Sequence, residues 1–383
     1  MPAIDLSAIP LIDNHCHGVY TDPVPIDLEH WRGLLTEAEG PETRRQYVTT
    51  TLVYTRLVRH LARYFGCENS DEAVIEARGA ISTDDLTAAL LRDAKFDALV
   101  LDTGLPPQEQ VYSHDVMERM GDLRVAPLLR VEIVMQDLIT REGTLNAVED
   151  GIRQALVDVR GQGYVGLKTI VAYRTGLDIR AWSRDEAEAS FSEARAEAQR
   201  QGTIRLSHKP LLDTLLHVVF REASRQELPV QFHTGYGDTD ADMIRANPLY
   251  LRRVLSDDAY RGMSVVLLHE SYPYTRQGGY MAAVYDQVYL DLSYAIPFLG
   301  YGEMETFTRE AFGVAPWAKL LYASDGVWLP ELHWMSAIDG RSIIGTVLGE
   351  IVESGDLKSN QAEQVGEMVL RGNAVRLYGL QLP

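Results

Sequence analysis

Apolar residues in this chain tend to occur in unbroken runs rather than at every second position. In "SVVLL", Val265, Val266, Leu267 and Leu268 follow one another. A strand with one wet face would alternate, so such runs predict parallel strands covered on both faces. Eight of them occur, at 10–13, 96–104, 123–134, 163–173, 228–237, 263–273, 287–297 and 318–326. Helical patterns lie between. Leu145, Val148, Ile152, Leu156 and Val159 recur at three- and four-residue spacing, and Gly161 and Gly163 follow the last turn. Eight strands alternating with helices predict an α/β fold, a (β/α)8 TIM barrel. A doubly wound open sheet would want a glycine-rich first turn, and none is present.

Two connections exceed a simple crossover. Residues 20–95 hold several amphipathic segments and predict a helical insertion, a lid over the barrel mouth, between the first and second strands. The segment 174–227 contains "WSRDEAEASFSEARAEAQRQG", read as a solvated helix. With no internal repeat, low-complexity linker or heptad run, residues 1–383 are expected to form a single barrel domain.

Composition narrows the partners. The 46% hydrophobic and 24% charged content is that of an ordinary globular chain and excludes intrinsic disorder. A formal charge of −19 repels phosphate backbones and anionic membrane surfaces, so neither nucleic acid nor membrane is an expected partner. No apolar run approaches the ~18 residues of a membrane span, and the N-terminus lacks the basic and apolar regions of a leader. Two cysteines, Cys16 and Cys67, exclude a disulfide framework. A cytoplasmic protein is the expectation.

The candidate chemistry falls at strand ends. "HCH" places His15 and His17 two positions apart, on one face of a strand, where two neutral imidazoles suit a metal ion. Cys16 between them points away and is expected to pack in the core. Lys168 lies within the fourth run, His233 ends the fifth, His269 the sixth, and Asp325 the eighth. Barrel enzymes carry their chemistry at the C-terminal ends of the strands. A lysine inside an apolar strand must be paired, neutralised or modified. Each of these residues alone could be structural; their joint placement points to a metal centre. His30, His60, His114, His208, His217 and His333 fall elsewhere and are expected at the surface, with His208 and His333 the two to check first.

This ordered set resembles the amidohydrolase superfamily of metal-dependent barrel hydrolases. The phrases "LPVQFHTGYGDTD", "VVLLHESYPYTRQGGYMA", "VYLDLSYAIP" and "LYASDGVWLPE" are similar to its amidohydrolase-2 branch, which includes FluG-type domains sometimes fused to glutamine synthetase. The resemblance implies that His15, His17 and Asp325 hold a first divalent metal, His233 and His269 a second, and Lys168 bridges them, carboxylated in some members. Where one metal is held, His269 is a proton donor or oxyanion stabiliser. Zn2+ is the expected ion, with Mn2+ also compatible. The implied reaction is hydrolysis of an amide, a γ-glutamyl amide or an acyl amino acid, with Asp325 as the proton shuttle. The alternative is a metal-dependent decarboxylase or lyase acting on a small carboxylic acid. Arg174, Tyr173, Tyr236, Arg276 and Glu132 are expected around a carboxylate-bearing small-molecule substrate, with Arg174 the favoured carboxylate grip. A homo-oligomer is expected.

Overall fold

The structure, a computed structural model, describes residues 3–21 and 27–382. Eight parallel strands run in chain order: β1 (Leu11–Cys16), β2 (Phe96–Asp102), β3 (Arg124–Arg130), β4 (Gly166–Thr169), β5 (Pro229–Phe232), β6 (Ser264–Leu267), β7 (Val288–Ser293) and β8 (Leu320–Ala323). The circle closes just past the strand ends, where Asp325 N donates to His15 O at 3.0 Å and His17 N to Gly326 O at 2.8 Å. The fold is a (β/α)8 barrel. Its closure is built from the residues flanking the first and last candidate ligands.

Several strands are shorter than their apolar runs. The run at 123–134 stops being a strand at Arg130, and the helix Val131–Arg141 begins at once, because Val131, Met135, Leu138 and Ile139 are spaced to bury one helical face. In the run at 163–173 only four residues are β4, and Val171–Arg174 coil into a single turn. Both chain reversals mark the barrel rim.

Inside the barrel, Ile12, Val100, Leu128, Val266 and Leu321 pack together with Tyr378 and Leu380. Tyr378 closes the floor. Its hydroxyl donates to Asn14 Oδ1 at 2.7 Å and accepts from Gln231 Nε2 at 2.8 Å, which satisfies polar groups that would otherwise be buried without partners.

Between β1 and β2 lie the helices Leu28–Gly33, Leu52–Phe65, Asp71–Gly79 and Thr83–Ala94; residues 22–26 of this segment lie outside the described residues. Two buried ion pairs fasten them to the long helix Pro330–Ser354: Arg56 to Asp339 at 2.9 Å and Arg78 to Glu331 at 2.5 Å. The helix Arg184–Gln201, expected to be solvated all round, buries Ala187, Phe191, Ala194 and Ala198 on one face. Its alanines are a packing stripe. Among the described residues no helix is long and apolar enough to cross a membrane.

Candidate active site

The parallel strands all end at one rim, so residues 15 to 325 meet there. His15 and His17 lie edge to face with ring centroids 4.9 Å apart. Asp325 Oδ1 stands 3.5 Å from His15 Nε2 and 3.6 Å from His17 Nε2. Its other oxygen is 3.3 Å from His269 Nδ1. His269 Nε2 lies 3.0 Å from His233 Nδ1, and Lys168 Nζ 3.4 Å from His15 Nε2. All six candidate metal residues line one chamber of about 310 Å³.

The backbone that presents them is strained. His269, Glu270 and Ser271 have φ of 61°, 50° and 57°, and Asp325 has 56°. Each such left-handed residue costs roughly 1 kcal/mol or more. The first turn is held by Asp291, whose Oδ1 accepts from His269 N at 2.5 Å and from Glu270 N at 3.3 Å. Burial, and then the charge of Asp325, push the Asp291 carboxyl up to about 8. Gly235, with φ +74°, ends the β5 turn beneath this segment; a Cβ there would lie 2.2 Å from Tyr272 O, so only glycine lets the two turns cross.

Protonation follows from burial. It pushes His15 and His233 well below the usual imidazole value, and His269 down to about 3. All three rings are neutral at pH 7. Burial alone would raise the Asp325 carboxyl, but the pull of His269 and His17 and the Tyr236 hydroxyl, which donates to Oδ2 at 2.6 Å, hold it well below the usual carboxylate range. Since His269 is neutral above about pH 3, the pair at neutral pH is an uncharged ring beside a carboxylate. Burial lowers Lys168 to about 8, with Arg130 adding to the fall and Asp102 opposing it.

These residues fit a divalent metal. His17 Nδ1 donates to Leu105 O at 3.0 Å, and its Nε2 lies 3.6 Å from Asp325 Oδ1. His233 Nε2 donates to Tyr236 O at 2.6 Å, so Nδ1 turns its lone pair to His269 Nε2 at 3.0 Å, and the single hydrogen of a neutral His269 cannot serve both that lone pair and Asp325 Oδ2. A cation at the rim resolves such facings, and a ligand histidine anchored through its other nitrogen is the usual outer-sphere arrangement. Two overlapping groups have ligand atoms within 4.8 Å of one another: His15, His269 and Asp325, and His15, His17 and Asp102.

The outer residues sort differently. Tyr173, Arg174 and Tyr236 line the chamber. Glu132 lies behind it, where Oε1 accepts from Thr169 Oγ1 at 2.5 Å and Ile170 N at 2.9 Å, tying β4 to the helix after β3. Arg276 lies outside, three-quarters exposed and paired with Glu310. Neither touches the chamber. Of the remaining histidines, His333 reverses the surface expectation: it is fully buried behind β1 and β8, where a tight helix start packs its ring beneath Gly326. His217 is partly buried too, with Nδ1 2.7 Å from the Tyr260 hydroxyl.

Sequence reading missed three contributors. Asp102 at the end of β2 receives the Arg130 guanidinium as a buried two-pronged pair, Nε to Oδ1 at 3.1 Å and Nη2 to Oδ2. The "LVLDTG" strand end was the available signal. Arg205 sits beside Arg174, and Glu37 reaches the mouth from the segment between β1 and β2. Burial, with Asp325 and Asp238 nearby, raises Glu37 to about 7. The chamber opens past Glu37, Asp238 and Trp328 into an outer vestibule of about 710 Å³.

Comparison with known proteins gives the family. The family model Amidohydro_2, described as amidohydrolase, matches residues 149–380, which carry Lys168, His233, His269 and Asp325. Protein fluG of Emericella nidulans is 29% identical over 97% of the chain, which spans only 46% of that longer protein. A crystal structure from Lactobacillus casei ATCC 334, whose name proposes a metal-dependent hydrolase, is 27% identical with a TM-score of 0.86, covering 99% of this chain and 98% of that one. Uronate isomerase of Thermotoga maritima shares the fold alone, at 15% identity and a TM-score of 0.67 over 97% and 95% of the two chains. With more than half its length matched by the family model, the chain belongs to the amidohydrolase family.

Proposed function

We propose that the protein is a metal-dependent hydrolase that cleaves the C–N bond of an amide whose acyl part carries a free carboxylate, a γ-glutamyl amide or an acyl amino acid. The observation that carries this reading is the convergence of two imidazoles on one carboxylate oxygen, His15 Nε2 and His17 Nε2 standing 3.5 and 3.6 Å from Asp325 Oδ1. His15, His17 and Asp325 would hold the ion, with His233, His269 and Lys168 able to hold a second; Zn2+ suits this set of imidazole and carboxylate, and Mn2+ is the alternative. When bound, such an ion polarises a carbonyl and makes water a stronger acid.

The side chains supply the remaining steps. Asp325, ionised and oriented by Tyr236, takes the proton from the attacking water and returns it to the leaving nitrogen. His269, neutral and 3.3 Å from Asp325, lies where a carbonyl oxygen gaining charge can be met. Arg174 is suited to the substrate carboxylate. Its Nε is buried without a hydrogen-bond partner, and burial together with the adjacent Arg205, itself paired with Asp240, lowers its pKa, so Arg174 is the cation left in want of an anion.

The test is metal analysis of purified protein together with a screen of γ-glutamyl amides and acyl amino acids for released amine. Amine release that vanishes in His15→Ala and Asp325→Ala supports the reading. Release that survives both, or CO2 in place of amine from a small carboxylic acid, overturns it, the latter in favour of a lyase.

A further inference from the structure

Two opposite charges face into the chamber and do not meet. Arg174 lines it from the end of β4, and Glu37 from the segment between β1 and β2. The other acids around the chamber are occupied: Asp325 by the Tyr236 hydroxyl, Asp240 by Arg205 at 3.0 Å, and Asp238 by the backbone N–H of Asp240 at 2.8 Å. Among the described residues the Glu37 carboxylate has neither a hydrogen bond nor an ion pair, and Arg174 has no acidic partner. Opposite charges sharing a largely enclosed space attract strongly, so a pair left unmade there needs a reason.

The reason is their position. After burial, the charges acting most on Glu37 are Asp325 and Asp238, whereas those acting on Arg174 are Arg205, Glu132 and Arg130. Glu37 and Asp325 also line the outer vestibule, and Arg174 does not. In the reaction proposed above Asp325 returns a proton to the leaving nitrogen. That nitrogen therefore lies on the Glu37 side of the scissile bond, with the substrate carboxylate on the Arg174 side. Beyond Glu37 the way out passes the indole of Trp328, which lines both spaces and packs against Tyr20 with ring centroids 4.8 Å apart. A carboxylate beside an aromatic face suits a cation. The arginines of the vestibule are turned elsewhere, Arg44 to Ala38 O at 2.8 Å and Arg45 toward Glu29 at 3.8 Å. The vestibule, at about 710 Å³ against about 310 Å³ for the chamber, leaves room for a long group.

We infer that Glu37, with Trp328, selects amides whose leaving amine carries a second, cationic nitrogen: a carboxylate-bearing acyl group held at Arg174, joined to a diamine or a longer polyamine. This rests on the hydrolase reading and names the other half of its substrate. The bond broken is the amide C–N. The oxygen of water stays with the new carboxylate, one of its hydrogens passes through Asp325 to the leaving nitrogen, and the distal ammonium takes no part beyond binding.

Three mono-amides of glutaric acid with leaving groups of similar length test this, made from diaminobutane, pentylamine and aminobutanoate. The wild type should favour the diaminobutane amide over the pentylamine amide by about 10–100-fold in kcat/KM, the equivalent of one charge-assisted contact, and cleave the aminobutanoate amide slowest. Glu37→Gln keeps the size and removes the charge, and should bring the first two within about threefold of each other. Arg174→Met should weaken both alike and preserve their ratio, as would any merely structural lesion. Equal cleavage of these two amides by the wild type, or a preference that survives Glu37→Gln, overturns the inference and leaves the hydrolase reading standing. Where none of the three is cleaved, the hydrolase reading is what fails, and calorimetry with diaminobutane alone decides the role of Glu37. Binding about tenfold tighter to the wild type than to Glu37→Gln supports it. Equal binding, or none, overturns it.

Discussion

Replacing Lys168 by methionine should make the metal-free protein more stable at neutral pH while abolishing its activity. Lys168 is fully buried, and among the described residues its one hydrogen-bond partner is His15 Nε2 at 3.4 Å. Burial lowers its pKa from 10.5 to about 8, so at pH 7 the folded protein carries an ammonium that it would rather not hold. The distance between those values, at 1.36 kcal/mol per pH unit, corresponds to roughly 3 kcal/mol. Methionine keeps the length and loses the charge. Giving up the contact with His15 costs about 1 kcal/mol, which leaves a net gain of about 2 kcal/mol. The sign with pH is fixed by linkage: a base whose folded pKa lies below its unfolded one destabilises the fold fully below the lower value, less between the two, and not at all above the higher. The advantage of Lys168→Met should therefore be complete at pH 7, shrink from pH 8 upward and disappear near pH 10.5. Urea unfolding of both proteins, metal-free and in CO2-free buffer, measures it, and the difference between them cancels other titrations. A variant less stable than wild type at pH 7, or an advantage that does not change with pH, would refute the reasoning.

Arg174→Met should raise KM for carboxylate-bearing amides by about 10–100-fold, the equivalent of one charge-assisted hydrogen bond, with kcat little changed, whereas Arg276→Ala should leave both constants alone. Steady-state kinetics on one substrate decides both. Tyr236→Phe should lower kcat by a similar factor at nearly constant KM, because the lost hydroxyl touches Asp325 at 2.6 Å. Asp102→Ala strands the buried Arg130 guanidinium and should destabilise the fold by about 3–5 kcal/mol, measured by denaturant unfolding.

The barrel and the strand-end positions of the candidate ligands are legible because each is local. A doubly covered parallel strand writes itself as a continuous apolar run, and the residue that follows it is on the rim wherever the barrel closes. His15, His17, His233, His269 and Asp325 could be placed without knowing any contact. The pairing of Arg130 with Asp102 could not, since it joins the ends of two neighbouring strands through space. Glu37 reaches the mouth only through the path of the segment between β1 and β2. The histidine at 333 looked like a surface residue because the first turn of a helix usually is one; here that turn packs behind β8, and its neighbour Glu331 is buried too. Glu132 and Arg276 were read from proximity in sequence to rim residues, but side-chain direction takes one behind β4 and the other into solvent.

Tyr378 sets the order in which the barrel can be sealed during synthesis. Its hydroxyl bonds Asn14, 364 positions earlier. A ribosome adding roughly 5–20 residues per second has all eight strands in hand for several seconds before that tyrosine emerges. In that interval the ligand-bearing rim can assemble while Asn14 and Gln231 still meet water through an open base. A nascent chain stalled after β8 would thus carry the candidate site at one end and a leak at the other, and the helix Asn373–Tyr378 acts as the stopper.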